Sequence, residues 1–265
     1  MKRIGVIGYG SMGKMLLRKF SESDSVNNAE LRISSRTLTK IEKAPEKYLI
    51  CRSNIELARA SDMIFICTRP VDIIAVLDEI ADELDEETLI ISLNSCIPLD
   101  SLEKIRKLKY AKVIPSLTAE ISRSQTLVTY NGLVNDQDKE TLTDLLTCIG
   151  NVIELPENEL GMGAELVSCM PGFIAAMFDV ICGEAKKHTS IPEEQIIKMV
   201  LNTISSTSDL MIQKDMSFEN VVNRVATKGG ITEAGTSVIK DRFPEIADEM
   251  FEKTLANRRK TVFIR

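Results

Sequence analysis

The chain has 265 residues, 44% of them apolar and 27% charged, with a formal net charge of −6 at pH 7. This balance suits a soluble protein of one large or two modest domains with a full core, and the acidic surplus argues against nucleic acid or an anionic membrane as partner. Six cysteines (51, 67, 96, 148, 169 and 182) lack C-x-x-C spacing, and His188 is the only histidine, so neither a metal site nor a histidine-based triad is expected. No stretch is read as approaching the roughly 18 apolar residues of a spanning helix, and the first residues lead straight into a strand, so a cytoplasmic protein is expected.

Residues 2–13 read KRIGVIGYGSMG. The run Ile4–Ile7 is short and β-branched, as in a buried parallel strand. After it, Met12, Leu16 and Phe20 recur at spacing four and define a helix face. Between strand and helix stands Gly8-x-Gly10-x-x-Gly13, with Ser11 and Met12 inside it. Gly8 permits the tight turn, Gly10 lets the backbone approach a pyrophosphate, and Gly13 lets the helix pack close to the sheet. The unpaired N–H groups at the helix start then hold the phosphates. A tight turn with no ligand is the plain alternative.

The next strand, Glu30–Ser34, ends in Ser35-Arg36-Thr37, with Lys40 one turn onward. A dinucleotide site needs a residue here, about 20 positions on, to meet the adenosine ribose, acidic for NAD and basic for NADP. No acid is present. Arg36 can pair with a 2′-phosphate through its planar fork, and Ser35 and Thr37 offer hydroxyls. The expected cofactor is therefore NADP(H), unless Arg36 is an ordinary solvated charge.

Strands are expected at 3–7, 30–34, 48–51, 63–67, 89–93, 111–114, 126–130 and 151–155, with helices near 11–22, 54–60, 71–83, 99–107 and 136–149. Such alternation predicts a doubly wound α/β sheet, with ligand beyond the carboxyl ends of the strands. Those ends are the Gly8 loop, Ser35-Arg36, Cys67-Thr68-Arg69-Pro70, Asn94-Ser95-Cys96 and Pro115-Ser116. From about residue 157 no strand pattern remains. Helices are expected at 160–188, which contains Pro171, and at 193–214, 217–226, 233–241 and 246–260. This divides the chain into a dinucleotide-binding domain, 1–156, and an all-α domain, 157–265. The 160–185 segment is apolar around much of its circumference and must be buried. A homodimer packing these helices together is expected, with burial against the first domain as the alternative.

In the second domain Thr227-Lys228-Gly229-Gly230-Ile231-Thr232 joins two helices. Paired glycines before a helix can form a concave set of backbone N–H groups suited to a carboxylate. A capped helix after a flexible turn, with Thr232 as N-cap, is an equal reading. Lys228 either pairs with the same carboxylate or is simply exposed.

Taken together, IGYGSMG, Ser35-Arg36-Thr37, Asn54, Arg69-Pro70, Pro115, Pro171 and the KGGIT loop resemble the pyrroline-5-carboxylate reductases end to end. That family reduces a cyclic imino acid to proline with NAD(P)H. The resemblance implies a Rossmann domain, a helical dimerisation domain, a homodimer or higher homo-oligomer, and an active site between the cofactor and the partner's glycine-rich loop. It assigns Thr232 to the substrate ring nitrogen and Gly229, Gly230 and Ile231 to the carboxylate. Asn54, Cys67, Thr68, Arg69 and Pro70 join the cofactor-binding set. The departures are specific. Asn94-Ser95-Cys96 stands for AAG, Ile114–Thr118 for MPNTP, Val167–Gly172 for SGSGPA, and Thr227-Lys228 for Ser-Pro. This pattern is similar to the family's late-competence paralogues of the ComER type. The expected activity is NADPH-dependent reduction of pyrroline-5-carboxylate. The alternatives are an NADP-binding competence or regulatory protein without proline-forming activity, or a reductase of another small carboxylate.

Overall fold

The computed structural model describes residues 2–23, 29–42 and 44–262. Its strands are β1 (Arg3–Ile7), β2 (Glu30–Ser34), β3 (Leu49–Ile50), β4 (Met63–Ile66), β5 (Leu89–Ser92), β6 (Lys109–Ile114), β7 (Ser124–Tyr130) and β8 (Gly150–Glu154). They form one sheet in the order β3-β2-β1-β4-β5-β6-β7-β8. Each matches an expected strand to within two residues at either end. The sheet is not wholly parallel, because β7 runs antiparallel to β6. The connection 115–123 is shorter than the dozen or so residues a parallel crossover needs, so the chain turns back.

The helices of this part are α1 (Ser11–Glu22), α2 (Leu38–Ile41), α3 (Asn54–Arg59), α4 (Pro70–Ile80), α5 (Leu99–Glu103) and α6 (Asp136–Leu146). Alternate strand residues fall into two separate cores, as period-two side chains require. Ile4, Val6, Met63, Phe65, Leu89 and Ile91 pack with Leu16, Leu17 and Phe20 of α1 and with Leu142, Leu145 and Leu146 of α6. Ile7, Ile64, Ile66 and Ile90 pack with Leu57 of α3, with Ile73, Leu77 and Ile80 of α4, and with Leu102 of α5. With both faces covered, the central strands read as unbroken apolar runs such as MIFI.

Beyond β8 the chain is helical: α7 (Leu160–Ala164), a π-helical turn (Glu165–Cys169), α8 (Met170–Ala185), α9 (Glu193–Gln213), α10 (Phe218–Val225) and α11 (Ile231–Val262). Two expectations are corrected here. The 160–188 helix is interrupted by the π turn just before Pro171, which has no N–H to offer the Val167 carbonyl. The helices expected at 233–241 and 246–260 are one, with Pro244 inside. Residues 240–246 are exposed, so the carbonyl that Pro244 orphans is solvated rather than buried.

The chain divides into two compact units, one reaching Pro171 and regaining the chain at Leu255, the other Gly172–Thr254. The division lies past residue 156 because Leu160 and Ala164 of α7 are buried against Ile114 and Leu127 of the sheet. In the second unit α8 has no buried residue within the chain. One 18-residue window inside residues 157–188 has a mean hydropathy of 1.8, so this helical run is long and apolar enough to cross a membrane by length and composition. That overturns the reading that no stretch approaches such a span.

Candidate functional site

The carboxyl ends of β1, β2 and β4 open into a cleft of about 650 Å³. It brings together Gly8, Gly10, Ser35, Arg36, Thr37, Asn54, Cys67, Thr68 and Arg69 of the expected residues, with Arg52, Asp72 and Glu79 beside them. The turn above β1 has the geometry its glycines require. Gly8 sits at φ +105°, and a Cβ on Gly13 would stand 2.1 Å from the Gly8 carbonyl oxygen. A Cβ on Gly10 would meet nothing within 4 Å, so space lies over the backbone there. Four of the expected residues are not part of the cleft wall. Ser11 faces a separate hollow, Met12 packs on the core, Gly13 is buried under the turn, and Pro70 opens α4.

Hydrogen bonds fix part of the wall. Ser34 Oγ donates to Asn54 Oδ1 at 2.8 Å, and Asn54 Nδ2 donates to Glu79 Oε2 at 2.8 Å. Asn54 is held at the start of α3 because Ser53 caps that helix by accepting from Glu56 N at 3.0 Å. Arg69 donates to both oxygens of Asp72, at 2.8 and 3.3 Å, and holds its carboxyl below the usual carboxylate range. Arg36 is exposed and makes no close hydrogen bond or ion pair among the described residues, although its charge also helps to lower the Asp72 carboxyl, after that of Arg69. Thr68 Oγ1 is a buried polar atom without a partner. Burial pushes the Cys67 thiol up to about 12, so it stays neutral and serves as wall rather than nucleophile. An open backbone turn, an unfilled hydroxyl and an unpaired guanidinium at the end of β2 suit a dinucleotide bearing an extra phosphate. Among the described residues no group of three His, Cys, Asp or Glu could hold a metal ion.

The second expected element lies in the other unit. Gly229 is in the left-handed region at φ +74°, and Gly230 N donates to the Thr227 carbonyl at 2.8 Å, closing a tight turn. Gly229 N donates to Glu233 Oε2 at 2.6 Å, so the turn already holds a carboxylate of its own chain. Ile231 is 96% exposed. α11 starts at Ile231, which puts Thr232 in its first turn and not at the cap.

At the end of β5, where Asn94-Ser95-Cys96 was expected to face ligand, sequence reasoning did not find the pair that holds the loop. Glu165, on the π turn, is 1% exposed, and its Oε1 accepts from Arg258 Nη2 at 2.6 Å. Arg258 also donates to Ser95 Oγ. Ser95 lies 163 positions away in sequence, so no local signal connects them. The Ser95 carbonyl accepts from Lys112 Nζ at 3.3 Å, and that buried lysine is paired with Glu157 at 2.9 Å. Burial pulls the Lys112 pKa down, and the Glu157 carboxylate opposes this.

The comparisons agree with this architecture. Residues 3–95 match the model for NADP oxidoreductase, coenzyme F420-dependent, and residues 157–261 match that for pyrroline-5-carboxylate reductase dimerisation. Pyrroline-5-carboxylate reductase 3 of Bacillus subtilis (strain 168) is 33% identical over 96% of this chain and 95% of its own. ComE operon protein 4 of the same organism, a paralogue, is 25% identical over 95% and 93%. Among solved structures, pyrroline carboxylate reductase of Plasmodium falciparum with NADP bound superposes with a TM-score of 0.86 at 21% identity, over 98% of each chain. That of Streptococcus pyogenes gives 0.87 at 21% identity, over 97% and 98%. With a relative so similar across almost its whole length, the chain belongs to the pyrroline-5-carboxylate reductase family of NAD(P)-dependent oxidoreductases acting on a C=N bond.

Proposed function

We propose that the protein reduces pyrroline-5-carboxylate to proline with NADPH, in the cytoplasm, as a homodimer or larger homo-oligomer joined through the helices beyond residue 157. One observation carries the substrate reading. The 227–232 turn offers the Gly229 N–H to a carboxylate, that of Glu233 at 2.6 Å. In turnover Gly229, Gly230 and Ile231 hold the substrate's carboxylate, and the Thr232 hydroxyl holds the ring nitrogen. NADP(H) lies along the cleft of residues 1–156. Gly8, Gly10, Ser11, Met12 and Gly13 carry its pyrophosphate, and Ser35, Arg36 and Thr37 its 2′-phosphate. Asn54, Cys67, Thr68 and Arg69 form the wall, and Pro70 opens α4 behind them. The cofactor supplies hydride. When the imine nitrogen is already protonated, the protein needs no general acid and contributes placement. This suits a chain with one histidine. Residues 157–265 are then the dimerisation and substrate-loop domain. The partners are a small carboxylate and copies of the chain, with no nucleic acid, membrane or metal required.

One observation favours a second reading, an NADP-binding paralogue without proline-forming activity or a reductase of a different small carboxylate. Glu233 already occupies the turn that the substrate would use. NADPH oxidation with pyrroline-5-carboxylate, measured beside cofactor affinity, separates the two. Turnover supports the first reading. Tight NADPH binding without oxidation overturns it in favour of the second.

A further inference from the structure

The loop after β5 is held from three directions. Asn94 Oδ1 accepts from Cys96 N and Ile97 N, both at 2.8 Å, which closes the loop on itself. Lys112 holds the Ser95 carbonyl from the neighbouring strand. Arg258 holds the Ser95 hydroxyl and lies 3.9 Å from Cys96 Sγ. Its guanidinium is anchored behind by Glu165, through Nη2 at 2.6 Å and Nε at 3.3 Å.

As a device for stability this arrangement is poor. Taking a carboxylate and a guanidinium out of water is costly, and apolar residues of similar volume often do as well or better. Glu165 Oε2 makes no hydrogen bond at all. What the pair supplies is direction: a planar cation fixed behind by a buried acid, with its forward N–H aimed at one hydroxyl.

The location gives that direction a use. β5 lies beside β4, whose end at Cys67 and Thr68 lines the cleft. In a doubly wound sheet a dinucleotide lies across the strand ends at the switch point. With its adenosine end at Arg36 after β2 and its pyrophosphate on the Gly8 turn after β1, its nicotinamide end falls on the β4–β5 side. Resting on that cofactor reading, we infer that Glu165 and Arg258 are positioning residues, which hold Ser95 and its loop as the floor against which the nicotinamide is oriented.

The prediction is a split between orientation and affinity. The adenosine and phosphate contacts lie elsewhere, so Ser95→Ala and Arg258→Ala should change the NADPH dissociation constant by less than about threefold. Both should reduce kcat with pyrroline-5-carboxylate by about ten- to a hundredfold, as expected for one lost directed contact. They should also reduce the gain in NADPH's own fluorescence on binding, a property of the nicotinamide ring that needs no substrate. The double variant should be no worse than Arg258→Ala alone, because both break one contact. Arg258→Lys should recover part of the loss. Ser95→Ala leaves the buried ion pair intact, so its melting temperature should equal that of the native protein even where Arg258→Ala unfolds.

A Ser95→Ala protein with native kcat and native NADPH fluorescence would overturn the inference. So would losses in the two single variants that simply multiply in the double. If the native protein binds NADPH but does not turn over pyrroline-5-carboxylate, the proposed activity fails, and the fluorescence series still decides the role of Arg258.

Discussion

Replacing Arg36 with alanine tests the cofactor assignment most directly. Three guanidinium groups line the cleft, but Arg69 is committed to Asp72, and the acids Asp72 and Glu79 lie in the same wall. Arg36 is the cation at the end of β2, where the chain carries no acid. A hydrogen bond to a charged group contributes about 1.5 to 3 kcal/mol, and the exposure of Arg36 places its contact to a 2′-phosphate near the lower end. About 1.5 to 2 kcal/mol corresponds to roughly a 10- to 30-fold difference in dissociation constant. NADPH should therefore bind at least about tenfold tighter than NADH. Arg36→Ala should raise the NADPH value by that factor and leave NADH within about twofold, and the preference should shrink as salt is added. The chain has no tryptophan, so calorimetry or the cofactor's own fluorescence at fixed ionic strength is the suitable assay. Equal affinity of the native protein for both cofactors would refute the reasoning, as would a preference that survives the substitution.

Three further outcomes are expected. Thr232→Ala should lower turnover of pyrroline-5-carboxylate by roughly one to two decades with NADPH affinity nearly unchanged; native turnover in that variant removes Thr232 from the chemistry. Val180 and Ile181 of α8 are 63% and 50% exposed within the chain, so light scattering at micromolar concentration should find at least a dimer, and Val180→Asp should dissociate it. A clean native monomer would count against the apolar face as an interface. Asp62 accepts from Arg3 N at 2.9 Å and from the Arg3 guanidinium, and the Arg3 bond holds its carboxyl below the ordinary value. A depressed folded-state pKa means stability that is present above the unfolded value, about 3.9, and is lost as pH falls through the folded one. Asp62→Asn should therefore show a smaller drop in melting temperature below about pH 4 than the native protein, and identical acid limbs would deny the pair any share.

How far these features could be read in advance follows from the range of the interactions behind them. Strands such as MIFI and the Gly8–Gly13 turn are specified by neighbours within a few residues, and β1 to β8 fell close to where period and composition put them. That Arg36 lines the cleft could be expected because its position is measured from the glycine turn. The Glu165–Arg258 pair joins residues 93 apart, and nothing local marks either as buried. The direction of β7 was open to inference from loop length alone, yet apolar alternation is blind to strand sense. Pro244 misled for a physical reason, since a proline breaks a helix when its orphaned carbonyl has no other partner, and exposure there supplies water. Thr232 was misplaced by two positions because α11 starts at Ile231, with Glu233 reaching back to Gly229.

The return of α11 to the first unit also sets an order of assembly. Glu165 is synthesised early, and its buried carboxylate has no countercharge until Arg258 has been made, after the whole of 172–254. At about 5–20 residues per second, those roughly 80 residues take on the order of 4–16 s. During that interval the sheet can form from its own local pairings, but the stretch from α7 to the π turn cannot dock in its final form, because Glu165 would be buried without its partner. The dinucleotide fold of this chain is therefore completed by its last helix, so the region that matches the dimerisation family also closes the domain that precedes it.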